Sequence, residues 1–181
     1  GQDNDFMLVT DRAPNVQATN HPLAGGLTTL LFPFPNYSPK IFHMKAEGDS
    51  LRIISSTTLK RPDGTSTTGL PNPSNAGGTG EIAWNSTNAT VLAPDAWGID
   101  SEGIVEGNNN DYWICEEYGT TVWNVEKGTG RVINRYTPFG SSDHNIGIPP
   151  AFAKRRPNRG FEGVAITPSG KVYIMVQGPL Y

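Results

Sequence analysis

The chain has 181 residues, a formal net charge of −3 and only 17% charged residues, while Gly (21) and Pro (15) together make up about a fifth of it. That length suits one domain with a buried core, and a turn-rich chain with 9% aromatic residues argues against disorder and rules out a helical bundle. The only basic runs are Lys154-Arg155-Arg156 and Arg159, so nucleic acid is not an expected partner, and no apolar run reaches the roughly 18 residues of a membrane span.

In chain order, the opening Gly1-Gln2-Asp3-Asn4-Asp5 shows no signal peptide and reads as a mature or trimmed N-terminus. Short apolar runs then recur, separated by Gly, Pro, Asn and Asp. They predict strands over residues 6–10, 41–44, 51–57, 103–105, 112–115, 121–125, 131–136, 164–167 and 172–176. Residues 61–81 are polar and Gly/Pro-rich and read as a long loop; 137–160 form a second irregular connection. The single cysteine, Cys115, excludes an internal disulfide and, inside an expected strand, reads as a buried structural thiol. Helical periodicity is almost absent, so the chain is expected to be all-β: a sandwich, a barrel or a propeller.

An internal repeat favours the propeller. Glu102-Gly103-Ile104-Val105 matches Glu162-Gly163-Val164-Ala165, and eleven residues after each Glu an aromatic, Trp113 or Tyr173, sits in a second strand. That strand ends four residues later at Glu117 or Gln177, and a further copy of it, ending at Asp11, opens the chain. A unit of this kind recurring at about 60 residues fits propeller blades with long inserts. The expectation is a β-propeller sector of about three to four blades spanning 1–181, a fragment of a larger propeller whose remaining blades lie on a further segment or another chain.

Four motifs stand in order: Thr10-Asp11-Arg12; Gly98-Ile99-Asp100-Ser101-Glu102-Gly103; Cys115-Glu116-Glu117-Tyr118-Gly119; and Asn158-Arg159-Gly160-Phe161-Glu162-Gly163. Together they resemble the esterase-like phytase family of bacterial and fungal propellers, over about residues 6–180. The resemblance implies a secreted or periplasmic hydrolase of phosphate or other esters acting on a small anionic or ester substrate. The family's domain is longer, so blades and site residues beyond this chain are implied too.

The residues carry a physical reading beside the resemblance. At the mouth of a propeller, Asp100, Glu102 and Glu162 would project toward the axis from adjacent blades, with Asp11 and Glu117 joining from strand ends. Crowded carboxylates repel unless a cation compensates, and calcium (Ca²⁺) accepts six to eight such oxygens. Metal-ligand candidates are therefore Asp11, Asp100, Glu102, Glu117 and Glu162. Catalytic candidates are Glu102, Glu162 and Arg159; substrate-binding candidates are Arg12, Tyr118 and Arg159, since Arg pairs with anionic oxygens. Such acidic residues also serve only to hold turns or pair with Arg, and a non-catalytic, calcium-stabilised module for a sugar, peptide or protein partner stands as the alternative function.

Other signals are weaker. No G-x-S-x-G nucleophile elbow is present, and His21, His43 and His144 lack zinc spacing. Ser141-Ser142-Asp143-His144 reads as an ordinary polar loop, and Gly77-Gly78-Thr79-Gly80 lacks the Lys-Ser/Thr of a phosphate loop. Asn36-Tyr37-Ser38, Asn85-Ser86-Thr87 and Asn88-Ala89-Thr90 match the N-glycosylation sequon, a match that carries weight in a secreted eukaryotic protein.

Overall fold

A computed structural model of the chain describes residues 4–18, 29–85 and 90–181; His21 and the sequon positions 86–89 lie outside them. The described residues form thirteen strands, two short 3₁₀ turns and no α-helix. The strands build a first sheet of β1 (Asp5–Val9), β4 (Lys40–Glu47) and β5 (Ser50–Thr58). Four strands in sequential antiparallel order follow: β7 (Ser101–Glu106), β8 (Asp111–Glu116), β9 (Thr121–Glu126) and β10 (Val132–Thr137), with β11 (Asn145–Gly147) added in parallel to β10. The hairpin β12 (Phe161–Ile166) and β13 (Val172–Val176) makes a third sheet. A small fourth sheet joins β2 (Val16–Ala18), β3 (Thr29–Leu31) and β6 (Ile82–Trp84).

The period-2 alternation of the strands decides what each face packs against. Tyr112, Ile114, Trp123 and Val125 point to one side of the five-stranded sheet and form a core with Ile41, Leu59, Ile99, Met7 and Val9. Cys115 and Val122 point to the other side and pack with Phe161, Ile174 and Val176 of the third sheet. The five-stranded sheet is therefore sandwiched, and its central strands read as nearly continuous apolar runs for that reason. Trp123 is fully buried, meeting Trp97 edge to face at 5.6 Å between centroids, while the Arg135 guanidinium lies 4.0 Å from the Trp97 ring centroid. On the opposite face Cys115 is fully buried, and burial pushes its thiol up to about 12, which makes it the inert structural thiol expected.

All nine expected strands are present, most extended by one to four residues. The chain is all-β, and the sheets do not close on one another among the described residues. Four short strands escaped the sequence reading: β2, β3, β6 and β11, each three residues long. The connection 137–160, expected to be irregular, contains β11 and a 3₁₀ turn at Pro150–Lys154. Three-residue strands carry too little alternation to stand out from a loop; partners elsewhere in the chain define them. Residues 61–81 are loop with one 3₁₀ turn, Ser74–Ala76.

Candidate functional site

The four motifs meet where β1 ends, β8 ends, and β7 and β12 begin. The antiparallel register sets Ser101, at the start of β7, opposite Glu116, at the end of β8. One residue further out, the Glu117 N–H donates to the Asp100 carbonyl at 2.9 Å. The Ser101 hydroxyl donates to the Thr10 carbonyl at 2.6 Å and so ties the exit of β1 to the same place. Gly160, leading into β12, passes directly over Glu117: a Cβ there would fall 2.1 Å from the Glu117 carbonyl oxygen. Only glycine fits so close a backbone approach.

Both Glu-Gly steps lie inside strands, and both are β-bulges. Ser101 pairs with Glu116 and Gly103 with Cys115, so Glu102 is the extra residue of β7. Phe161 pairs with Val176 and Gly163 with Met175, so Glu162 is the extra residue of β12. A bulge re-aims the side chain it inserts. The repeat seen in the sequence is thus a repeated backbone device, and its aromatics occupy matching places: Trp113 opposite Val105, Tyr173 opposite Ala165.

The five expected metal-ligand residues come together. Ligand oxygens of Asp11, Asp100 and Glu102 all lie within 4.8 Å of one another, and so do those of Glu102, Glu117 and Glu162, with Glu102 common to both groups. Oxygens on opposite sides of a calcium ion stand roughly 4.6–5.2 Å apart, so each group is of a size to surround one. Burial pushes Asp100 up to about 9, helped by a hydrogen bond with Asp11 and opposed by Arg12. Burial, then the charges of Glu162, Asp11 and Glu117, raises Glu102 to about 7; burial and Glu162 raise Glu117 likewise to about 7. These are carboxylates short of positive charge. Asp100 Oδ1 is buried without any hydrogen-bond donor, and Glu117 is buried against Glu162, with which its carboxyl shares a hydrogen bond. An all-carboxylate donor set with an orphaned buried oxygen fits a hard divalent cation such as calcium.

The cations divide into two roles. Arg12 is nearly buried and engaged through two of its nitrogens: Nε meets Asp100 Oδ2 at 3.3 Å, and Nη1 meets Glu81 Oε2 at 3.4 Å and donates to the Tyr118 hydroxyl. Tyr118, expected as a substrate contact, is fully buried beneath the Arg12 guanidinium. The Glu116–Thr121 turn folds its ring inward, so it supports Arg12 and does not face solvent. Arg159 is exposed, makes no hydrogen bond or ion pair among the described residues, and acts on Glu117 through its charge. Among the catalytic candidates Glu102 is exposed and Glu162 half-buried, so the site opens to solvent on their side.

Three supporting residues were not foreseen. Glu116, fully buried and held near 7 by burial, accepts from Gly119 N–H (2.9 Å), Thr121 N–H (3.0 Å) and Thr121 Oγ1 (2.6 Å). It staples the turn that carries Glu117, and in the pair Glu116-Glu117 only alternation along β8 could have told the inward residue from the outward one. Arg155 donates to the Gly77 and Tyr118 carbonyls from beneath. Glu81, the second partner of Arg12, comes from a loop with no sequence signal. The remaining histidines lie apart from the site: His43 pairs with Asp5 at 3.4 Å, and His144 is exposed beside the Ile133 carbonyl.

Comparison with known proteins adds three findings. A family model named phytase-like and described as the esterase-like activity of phytase matches residues 1–181. A protein of Arthroderma benhamiae described as an uncharacterized secreted protein is 27% identical over 164 residues, covering 72% of this chain and 31% of the relative; the chain spans about a third of that relative's length. No solved structure matches the chain.

Proposed function

The chain belongs to the phytase-like family, and from that membership we propose that its acidic cluster is the centre of a secreted, calcium-assisted hydrolase of phosphate or other esters. The observation that carries this reading is the convergence of five carboxylates in two groups that share Glu102, one of them holding the orphaned Asp100 Oδ1, with the Arg159 charge acting on Glu117 in the other. The secreted relative supports the location, and no helix among the described residues is long and apolar enough to cross a membrane. The architecture that goes with the reading is a partial β-propeller of about three to four blades. Its support is the four-stranded antiparallel meander β7–β10 and the side-by-side packing of β7 and β12, strands opened by the same bulge.

Calcium would be held by Asp11, Asp100 and Glu102 on one side and by Glu102, Glu117 and Glu162 on the other. When bound, it supplies positive charge against the charge that develops on the ester oxygens. Arg159 pairs with an anionic oxygen of the substrate and orients it. Glu102, common to both groups and open to solvent, would take the proton of the attacking water. Arg12 holds one oxygen of Asp100 through its Nε and leaves the other free, with Tyr118 and Glu81 fixing the guanidinium in place.

The second reading, a non-catalytic calcium-stabilised module for a sugar, peptide or protein, is favoured by the commitment of Arg12 to Asp100, Glu81 and Tyr118. Calcium titration by calorimetry on the chain and on Glu102→Gln and Glu162→Gln, followed by a screen of phosphate monoesters and acyl esters, separates the two. Hydrolysis is expected only with calcium, and a loss of calcium affinity of about tenfold or more in each variant. Calcium binding with no turnover of any ester hands the site to the binding reading; no calcium binding at all removes both.

A further inference from the structure

We propose that Asn36 is a site of N-linked glycosylation. Asn36 is exposed in the turn Phe34-Pro35-Asn36-Tyr37, closed by the Tyr37 N–H donating to the Phe34 carbonyl at 2.9 Å. Proline at the second position and asparagine at the third suit such a turn, so the acceptor amide projects from a rigid tip. Tyr37 and Ser38, which complete the sequon, are anchored behind it. The Tyr37 hydroxyl donates to Thr10 Oγ1 at 2.9 Å and the Ser38 hydroxyl to the Thr67 carbonyl at 2.7 Å.

The surroundings are apolar where a first sugar would lie. Phe34, two residues before the acceptor, is 63% exposed, and with Pro33, Pro35, Asn36 and Tyr37 it lines an open hollow of about 480 Å³. An exposed aromatic between two prolines makes no packing contribution to the cores, whereas the apolar face of an N-acetylglucosamine ring covers such a surface. The parallel register Leu31↔Trp84 brings the ends of β3 and β6 together, so Asn36 and Asn85, the first residue of a second sequon, leave the small sheet at the same end. The Tyr37–Thr10 bond ties this turn to the residue that precedes Asp11.

Chemically, the Asn36 side-chain nitrogen attacks the anomeric carbon of a lipid-diphosphate-linked oligosaccharide. A nitrogen–carbon bond forms, the carbon–oxygen bond to the lipid diphosphate breaks, the lipid diphosphate leaves, and the amide gives up one proton.

The test is secretion of the chain from a yeast host, followed by peptide mass mapping with and without amide-cleaving glycosidase. The peptide holding residue 36 is expected to carry a glycan, and the glycosidase to release it with conversion of that asparagine to aspartate. Asn36→Gln is expected to abolish the modification of that peptide. Ser38→Ala is expected to abolish it too, and Ser38→Thr, which keeps both the sequon and the hydroxyl, to retain it. Protein recovered from the medium with the residue-36 peptide wholly unmodified overturns the proposal, whether or not the Asn85 peptide is modified.

Discussion

Ionisation is where single residues of the site show their character. Asp100, Glu102 and Glu117 hold protons to about 9, 7 and 7, with burial the first cause in each. An unfolded carboxyl titrates near 4, so between about pH 4.5 and 7 the folded state binds more protons than the unfolded state. Stability then falls as pH rises through that window. Calcium, which demands the ionised forms, reverses the trend. In chelator, the melting temperature at pH 5 is expected to exceed that at pH 8, and saturating calcium to raise the pH 8 value far more than the pH 5 value. Equal calcium shifts at both pH values would mean that these carboxyls do not hold the ion. All five ligand candidates were named from the sequence: Glu102 and Glu162 as one repeated position, Asp11 and Glu117 as another, and Asp100 two residues before Glu102. What was not legible is which groups hold them: Glu81 reaches Arg12 from 69 residues away, and no local pattern announces so remote a partner.

At the scale of the element, the repeated unit is a bulged hairpin. The Glu-Gly pairs were readable as a repeat, but not as bulges, because a bulge is defined by the partner strand's register and only the pairing of Gly103 with Cys115 and of Gly163 with Met175 reveals it. The glycine that sets the two hairpins against each other is Gly160, which has no counterpart in the first copy, where Asp100 stands. An alanine there would drive its Cβ into the Glu117 backbone, meeting its oxygen at 2.1 Å and its Cα at 2.8 Å. One of the two hairpins has to move, and Glu117 with it. Gly160→Ala is expected to cost about 2–4 kcal/mol in denaturant unfolding and to weaken calcium binding. Gly178→Ala, with open space at the Cβ, is expected to stay within about 0.5 kcal/mol. A Gly160→Ala variant as stable as Gly178→Ala would show that the two hairpins do not press together as described.

The whole molecule is a row of sheets with an apolar face at each end. On the first sheet, Leu8 pairs with Phe42 and Met44 with Ile53 on the side away from the core, leaving Leu8, Leu51 and Ile53 45%, 63% and 57% exposed. On the third, Tyr173 and Met175 are 59% and 64% exposed, while Ile174 and Val176 between and beside them pack inward. Strands that are apolar on both faces belong to sheets covered on both sides, which is the position the five-stranded sheet already occupies. A propeller supplies such cover by setting further sheets against each end of the row, and the relative's greater length leaves room for them. On the proposed reading of a partial propeller, further blades on another segment or another chain would bury both faces. Oxidative footprinting of residues 1–181 alone and together with the proposed further blades reads this directly. Met175 and Tyr173 are expected to be modified readily in the first and protected in the second, while Trp123, already fully buried, is protected in both. Equal modification of Met175 in the two would mean that the third sheet faces solvent in the complete protein, and that the row of sheets does not continue into a ring.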